Sequence, residues 1–437
     1  MKKIVSVLLV IMLISVFAAG CGSNNTSSTN GNAAKETPKE TPKAATNEEP
    51  VAENVTLSYW TLTNNAWIEP AIADFEAANP NVKIEMTQYA TDPIKEALKV
   101  AANSKTLPDM WFTWGGSLGS FYPENGLTLD LTQIATDHQW SNLYNQAAID
   151  MSTYDGKISG VPWALNVMDM WYSKEVYEKL GMTPPTTFEE FEAQLATMKD
   201  NDIVPMSFGG KGGWHIMRFV EQLIEQYAGP ELHDKLNAME ASWNDPAVVS
   251  AFAKLKEYSD KGYFPKGHVA IDQAEAINYF YPAKAGVVIE GPWLDVNITK
   301  TGFDNNNFGT FKYPGTTRAS VFAEMIQFNA NLEGAKKDAA IKFAEYVTST
   351  EVINKYIDVY GTPAALNVEF PAAKPNVKGL LDLANTGGFL VSDQALPQEV
   401  VQKLFEVQDR IALGEWTPQQ AAEAMDQAIN EYKSKNK

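Results

Sequence analysis

From residue 55 onward the apolar positions switch repeatedly between a period of two and a period near 3.6, the repeats of strands and helices. VTLSYW (55–60) is a β-type run that ends in polar TLTNN. Ile68, Ile72 and Phe75 then fall at helical spacing, and Asn79–Pro80 stops that helix, because proline pushes the residue before it out of the α region. VKIEM (82–86) alternates as a strand, and DPIKEALKVAAN (92–103) opens with Asp92 and Pro93, which predicts a cap and a first helical turn. PDMWFTW (108–114) reads as the next strand. Thr187 with Glu190 predicts a capping box ahead of Phe191, Leu195 and Met198. Asp245–Pro246 predicts another helix start, and Thr417 with Gln420 caps the last one. Such alternation predicts an α/β fold with largely parallel sheets. The stretch from 55 to 437 exceeds a usual single core, so two lobes are expected.

The pattern upstream is different. Lys2 and Lys3 precede one apolar run, IVSVLLVIMLISVF, followed by Ala18, Ala19, Gly20 and Cys21. These are the charged, apolar and small-residue regions of a secretory signal over residues 1–20. The apolar run is shorter than the roughly 20 residues that span a bilayer. Cys21 is the single cysteine in 437 residues, which excludes an intrachain disulfide and any multi-cysteine metal site. The Gly-Cys junction resembles a bacterial lipobox, whose cysteine is lipidated on sulfur and becomes the mature N-terminus; Ala18 stands where leucine is common. A diacylglyceryl group supplies the two chains that stable anchoring needs. The alternative is an ordinary signal peptide with an incidental cysteine. Residues 21–53 then read as the lipidated cysteine and a disordered tether, with no aromatic and one large aliphatic, Val51. That composition cannot offset the entropy of ordering. Such a coil would span ~30 Å on average and ~100 Å when stretched, a length suited to a Gram-positive surface outside the cell membrane.

Without residues 1–20 the chain carries 33 basic and 54 acidic residues, a net charge of −21. This opposes nucleic acid and electrostatic docking on anionic lipid. Only Arg218, Arg318 and Arg410 could offer a guanidinium fork, so ligands that demand one have few partners. The histidines at 138, 215, 233 and 268 form no metal-binding spacing, and neither a metal nor another cofactor is expected. Aromatic content stands out, with 11 Trp, 17 Tyr and 20 Phe.

Four stretches, LPDMWFTWGG (107–116), GVPWALNVMDMWYSKEVYEKLGMTPPTTFEEF (160–191), AKAGVVIEGPW (283–293) and IQFNANLEGAKKDAAIKFAEYVTS (326–349), occur in a telling order and spacing. Together they resemble bacterial extracellular solute-binding proteins of the carbohydrate type, the family that includes maltodextrin-binding proteins. Ser173 departs from the asparagine usual in the family, and Glu324 stands where relatives often carry glycine. The resemblance implies a two-lobe, type II periplasmic-binding-protein-like fold with discontinuous lobes joined by a hinge. Lobe 1 would take 54–161 plus 324–368 and lobe 2 162–323 plus 369–437, with crossovers near Val161–Pro162, near Val321–Ala323 and around 361–371. It implies a monomeric, non-enzymatic substrate-binding component of an ABC importer. Such a protein closes its lobes on a sugar and hands it to membrane permeases.

The resemblance also implies a site. Trp60 ends the first strand, with Asn64 and Asn65 just beyond, at sugar-contact positions. Trp114 lies where a strand opens into Gly115–Gly116, glycines that would let a ligand approach the backbone. Trp163 and Asn166 follow the first crossover. SFGGKGGWH (207–215) lacks the phosphate-loop spacing and reads as a flexible segment that brings Trp214 to the cleft. Trp293 of EGPW supplies a stacking indole with Glu290 behind it, and Glu324 and the loop at Phe389 complete the contacts. Trp67, Trp111, Trp140, Trp171, Trp243 and Trp416 are assigned to packing. Ligands of open α/β sheets sit beyond the carboxyl ends of strands, and here those ends carry tryptophan followed by Asn, Thr or Gly.

The chemistry is direct. A pyranose has apolar C–H faces that flat indoles cover at little entropy cost. Its rim of hydroxyls needs Asn, Asp or Glu, since a buried unpartnered polar group costs roughly 1–3 kcal/mol. Several tryptophans favour more than one ring, hence an oligosaccharide. Two rivals are a secreted glycoside hydrolase using Glu290 and Glu324 as its carboxylate pair, and a lipid-anchored surface adhesin, which needs no tryptophan-lined cleft.

Overall fold

The structure is a computed structural model that describes residues 53–65, 67–359, 362–371, 374–384 and 387–436. The predicted signal peptide, Cys21 and all but the last residue of the tether lie outside the described residues. By its contacts, 52–437 forms one compact unit.

Eleven strands occur among the described residues: β1 (Val55–Leu62), β2 (Val82–Tyr89), β3 (Met110–Trp114), β4 (Thr153–Tyr154), β5 (Lys157–Ile158), β6 (Gly160–Ser173), β7 (Val204–Met206), β8 (Ala285–Glu290), β9 (Phe308–Phe311), β10 (Ala319–Phe328) and β11 (Gly388–Leu390). The main sheet runs β2-β1-β3-β10-β6-β8-β7, with β11 paired to β10 and β9 to β6. Two long strands carry it from one half to the other. The first part of β6 pairs with β10, from Gly160–Gln327 to Met168–Ser320. Its last part pairs instead with β8 and β9. Likewise, the end of β10 pairs with β3 and its start with β11. One half-sheet therefore holds β2, β1 and β3, the other β7, β8, β9 and β11, and β6 and β10 belong to both.

The sheet is mixed rather than largely parallel. β1 is parallel to β2 and β3, and β7 to β8, as strand–helix alternation predicts. But β10 is antiparallel to β3 and β6, and β6 is antiparallel to β8 and β9. The shared strands come from segments far apart in sequence, where a local period carries no information about direction.

Of the four helix starts that side-chain chemistry predicts, three are capped as expected. Thr187 and Glu190 form the full capping box of helix Phe188–Asp200, Asp245 caps Pro246–Asp260, and Thr417 with Gln420 closes the box of Pro418–Lys435. Each such cap is worth about 1 kcal/mol. Asp92 is not a cap. The helix Thr91–Ser104 begins after Ala90, which leaves Asp92 inside the first turn, where its charge suits the helix dipole. The apolar faces of these helices close over the sheet. Trp111, Trp140, Trp171 and Trp243 are fully buried there, and Trp416 packs partly buried under Arg410.

Candidate functional site

A cavity of roughly 1190 Å³, part of it open to solvent, lies where the two half-sheets meet. β1 and β3 deliver residues at their carboxyl ends: Leu62, then Asn64 and Asn65 beyond β1, and Trp114 at the end of β3. The shared strands form the floor with Trp163, Asn166, Phe322 and Glu324. The second half contributes Trp214 and Arg218 from helix Trp214–Asn237, Trp293 from Trp293–Lys300, and Asp393 and Gln394.

Backbone irregularity aims these groups. The β6–β10 register passes from Ala164–Glu324 to Pro162–Met325, so it skips Trp163. A bulge of this kind turns a side chain out of the ordinary alternation, and Trp163 packs on Trp67 at 5.3 Å beside the cavity. Gly291 is required by the indole two residues on, since a Cβ there would lie 2.1 Å from the Trp293 ring. Gly116 has a different use from the one expected. Its φ is +58°, and a Cβ would meet Gln394 O at 2.2 Å, so the glycine admits protein backbone and not a ligand.

The aromatic and charged groups interlock. The Arg218 guanidinium lies 4.8 Å from the Trp214 ring and 5.2 Å from the Trp293 ring. Lys95 Nζ sits 4.9 Å from the Trp114 ring and 5.6 Å from Trp214. Trp293 also packs on Phe322 at 5.6 Å. Beneath them Glu290 is fully buried at the end of β8. Its Oε2 accepts from Arg218 Nη1 at 2.6 Å and from Trp293 Nε1 at 2.7 Å, and its Oε1 accepts from Gln273 Nε2 at 3.1 Å. His215 Nε2 lies 3.2 Å from Oε1. Burial alone would push Glu290 up, but Arg218, His215 and Gln273 outweigh it and hold the carboxyl at about 2. Burial lowers the His215 pKa, with Glu290 opposing.

The floor has polar groups to spare. Asn166 is buried at 2 % exposure, and among the described residues its Nδ2 has no hydrogen-bond partner. Burial raises the Glu324 carboxyl to about 7, with the nearby Asn166 amide opposing. Asp393 is also raised by burial, against Lys95 and Arg218. A cavity with indole walls and such a floor suits a ligand with apolar faces and a hydroxyl edge. No group of three or more His, Cys, Asp or Glu among the described residues could hold a metal ion.

The structure brings together Asn64, Asn65, Trp114, Trp163, Asn166, Trp214, Trp293 and Glu324. Trp60 does not line the cavity. It sits two residues before the end of β1, roughly 7 Å back along the strand, and packs with tilted rings on Tyr89 at 5.1 Å. Phe389 is buried against His233 at 4.7 Å, and the cavity is reached further along the chain by Val391, Asp393 and Gln394. Trp67, assigned to packing, is 3 % exposed and also borders the cavity. Sequence reasoning missed Lys95, Arg218 and Gln273. Arg218 lies one helical turn beyond Trp214, an i, i+4 pair that a helix starting at Trp214 would have revealed.

The model of a family described as bacterial extracellular solute-binding protein matches residues 70–378. An uncharacterised ABC transporter extracellular-binding protein of Pyrococcus horikoshii is 29% identical over 74% of this chain and 73% of its own. The multiple sugar-binding protein of Streptococcus mutans is 24% identical over 72% and 76%. A solved chitin oligosaccharide binding protein superposes with a TM-score of 0.79, at 23% identity, covering 86% of this chain and 98% of that one. This last likeness shows a shared fold.

Proposed function

Since the chain belongs to the bacterial extracellular solute-binding protein family, we propose that it is the substrate-binding component of an ABC importer that captures an oligosaccharide between its lobes. The observation that carries this reading is the cavity where the half-sheets meet, with Trp114, Trp163, Trp214 and Trp293 for sugar faces and Asn64, Asn65, Asn166 and Glu324 for hydroxyls. The names of the Streptococcus mutans relative and of the chitin oligosaccharide binding protein support a sugar. The lobes are 54–161 plus 324–368 and 162–323 plus 369–437, with β6 and β10 as the hinge strands. Lipidation at Cys21 holds a monomer outside the membrane on its tether, within reach of the permeases. No helix among the described residues is long and apolar enough to cross a membrane.

A hydrolase would need a carboxylic acid and a carboxylate flanking the bond. Glu290 is a poor member of that pair, because four neighbours occupy it and it stays ionised. A thermal-shift screen against linear oligosaccharides tests the reading. A cognate sugar at 100 times its Kd adds about 2.7 kcal/mol of stability. Release of shortened products from the same sugars would favour the hydrolase instead.

A further inference from the structure

Arg218 is held more tightly than a packing role requires. It is 9 % exposed, lies between two indoles of the cavity wall, and spends one Nη on Glu290 at 2.6 Å. Among the described residues no protein acceptor takes its Nε or its second Nη. A guanidinium fixed in this way presents planar donors in a set direction. Its charge, however, is cancelled by a fully buried carboxylate. Lys95, the other cation of the lining, is within 3.3 Å of Asp92. Two more carboxyls, Glu324 and Asp393, line the cavity without an ion-pair partner among the described residues. An anionic ligand therefore meets no uncompensated cation.

We propose that Arg218 is a specificity-determining residue, whose open N–H groups read acceptor oxygens on the edge of a neutral saccharide while Glu290 cancels its charge and so disfavours acidic saccharides. Glu290 is the positioning residue: it orients Arg218, Trp293 and Gln273 without touching the ligand. The inference rests on the sugar-binding reading and goes beyond it by naming the class of sugar.

The test titrates wild type, Glu290→Gln and Arg218→Gln/Glu290→Gln with neutral trisaccharides of glucose, xylose and N-acetylglucosamine, and with trigalacturonate. Wild type should bind at least one neutral trisaccharide and prefer it to trigalacturonate. Glu290→Gln leaves a surplus positive charge, so the preference should move at least tenfold towards trigalacturonate, and that binding should weaken as salt is raised. The double variant should lose at least tenfold for the neutral sugar with no gain for the acid. Because it leaves no buried ion unpaired, the double variant decides the matter alone if Glu290→Gln fails to fold. The proposal is overturned if wild type binds trigalacturonate as tightly as its best neutral sugar. An unchanged preference in Glu290→Gln overturns it too, as does neutral-sugar affinity within twofold of wild type in the double variant. All three outcomes leave sugar binding standing, whereas a wild type that binds none of these sugars removes that reading and the proposal with it.

Discussion

Replacing Trp293 with alanine separates a ligand platform from a packing residue. The indole is half-buried, resting on Phe322 at 5.6 Å and near Arg218 at 5.2 Å, and it borders the cavity. A sugar ring would cover what is still open. Covering a large apolar surface contributes about 1.5–3 kcal/mol, so Trp293→Ala should weaken binding ~10- to 150-fold. The indole N–H also donates to buried Glu290 at 2.7 Å. A hydrogen bond to a charged group contributes about 1.5–3 kcal/mol, so some stability is lost as well. The loss should stay at the low end, because Arg218 and Gln273 still satisfy the carboxylate. Trp293→Phe divides the two effects, since it keeps a ring and removes only the donor. Calorimetric titration and urea unfolding on both variants give the comparison. The alanine variant should lose far more affinity than the phenylalanine variant while their unfolding midpoints stay close. Wild-type affinity in Trp293→Ala together with a collapsed midpoint would refute the platform.

Trp171 is the counterpart, fully buried with its Nε1 donating to Glu290 O at 2.9 Å. Trp171→Ala should cost about 3–5 kcal/mol of folding stability, and a shift below 1 kcal/mol in urea unfolding would contradict a core role. Glu324 rises from 4.5 to about 7 in the folded protein, so its contribution is complete below the unfolded value and is lost as pH climbs through about 7. Between pH 5 and 8 that slope amounts to at most ~3 kcal/mol, and Glu324→Gln should flatten it in paired urea titrations; equal slopes in both proteins would dismiss the assignment. Trp214 Nε1 donates to Asp92 at 3.1 Å and Lys300 Nζ to Asn64 O at 3.1 Å, bridging the two halves. Saturating sugar should reduce the radius of gyration in small-angle scattering, and an unchanged radius would argue for a rigid site. Cys21→Ser should release the protein from membranes with its solution fold intact, and continued membrane association would disprove the lipid anchor.

How much was legible follows from the reach of each signal. Caps at Thr187, Asp245 and Thr417 are bonds between residues two or three apart, so the sequence shows them directly. The strands β1 and β2 are visible because burial on one face writes a period of two, whereas β3 is buried on both faces and shows as a short apolar run. The family resemblance pointed to Trp163, Trp214 and Trp293, and a strand end followed by glycines to Trp114; all four border the cavity. The strand-end rule also took Trp60, because sequence marks a strand but not the residue at which its pairing ends. Arg218 was passed over as one of three scattered arginines. Its role depends on Glu290, 72 positions away, and on a helix start at Trp214 that glycine-rich SFGGKGG concealed.

The sequence by itself determined the elements, their caps, the acidic surface and the stock of indoles. Tertiary structure decided which of these groups meet. Strand direction at β6 and β10, the register that skips Trp163, and the placing of Asn166 and Glu324 side by side arise from pairings across more than 150 positions. One residue of slip in that register would turn every side chain to the opposite face. No local pattern encodes such a choice, because it is made when strands distant in sequence pair within one sheet.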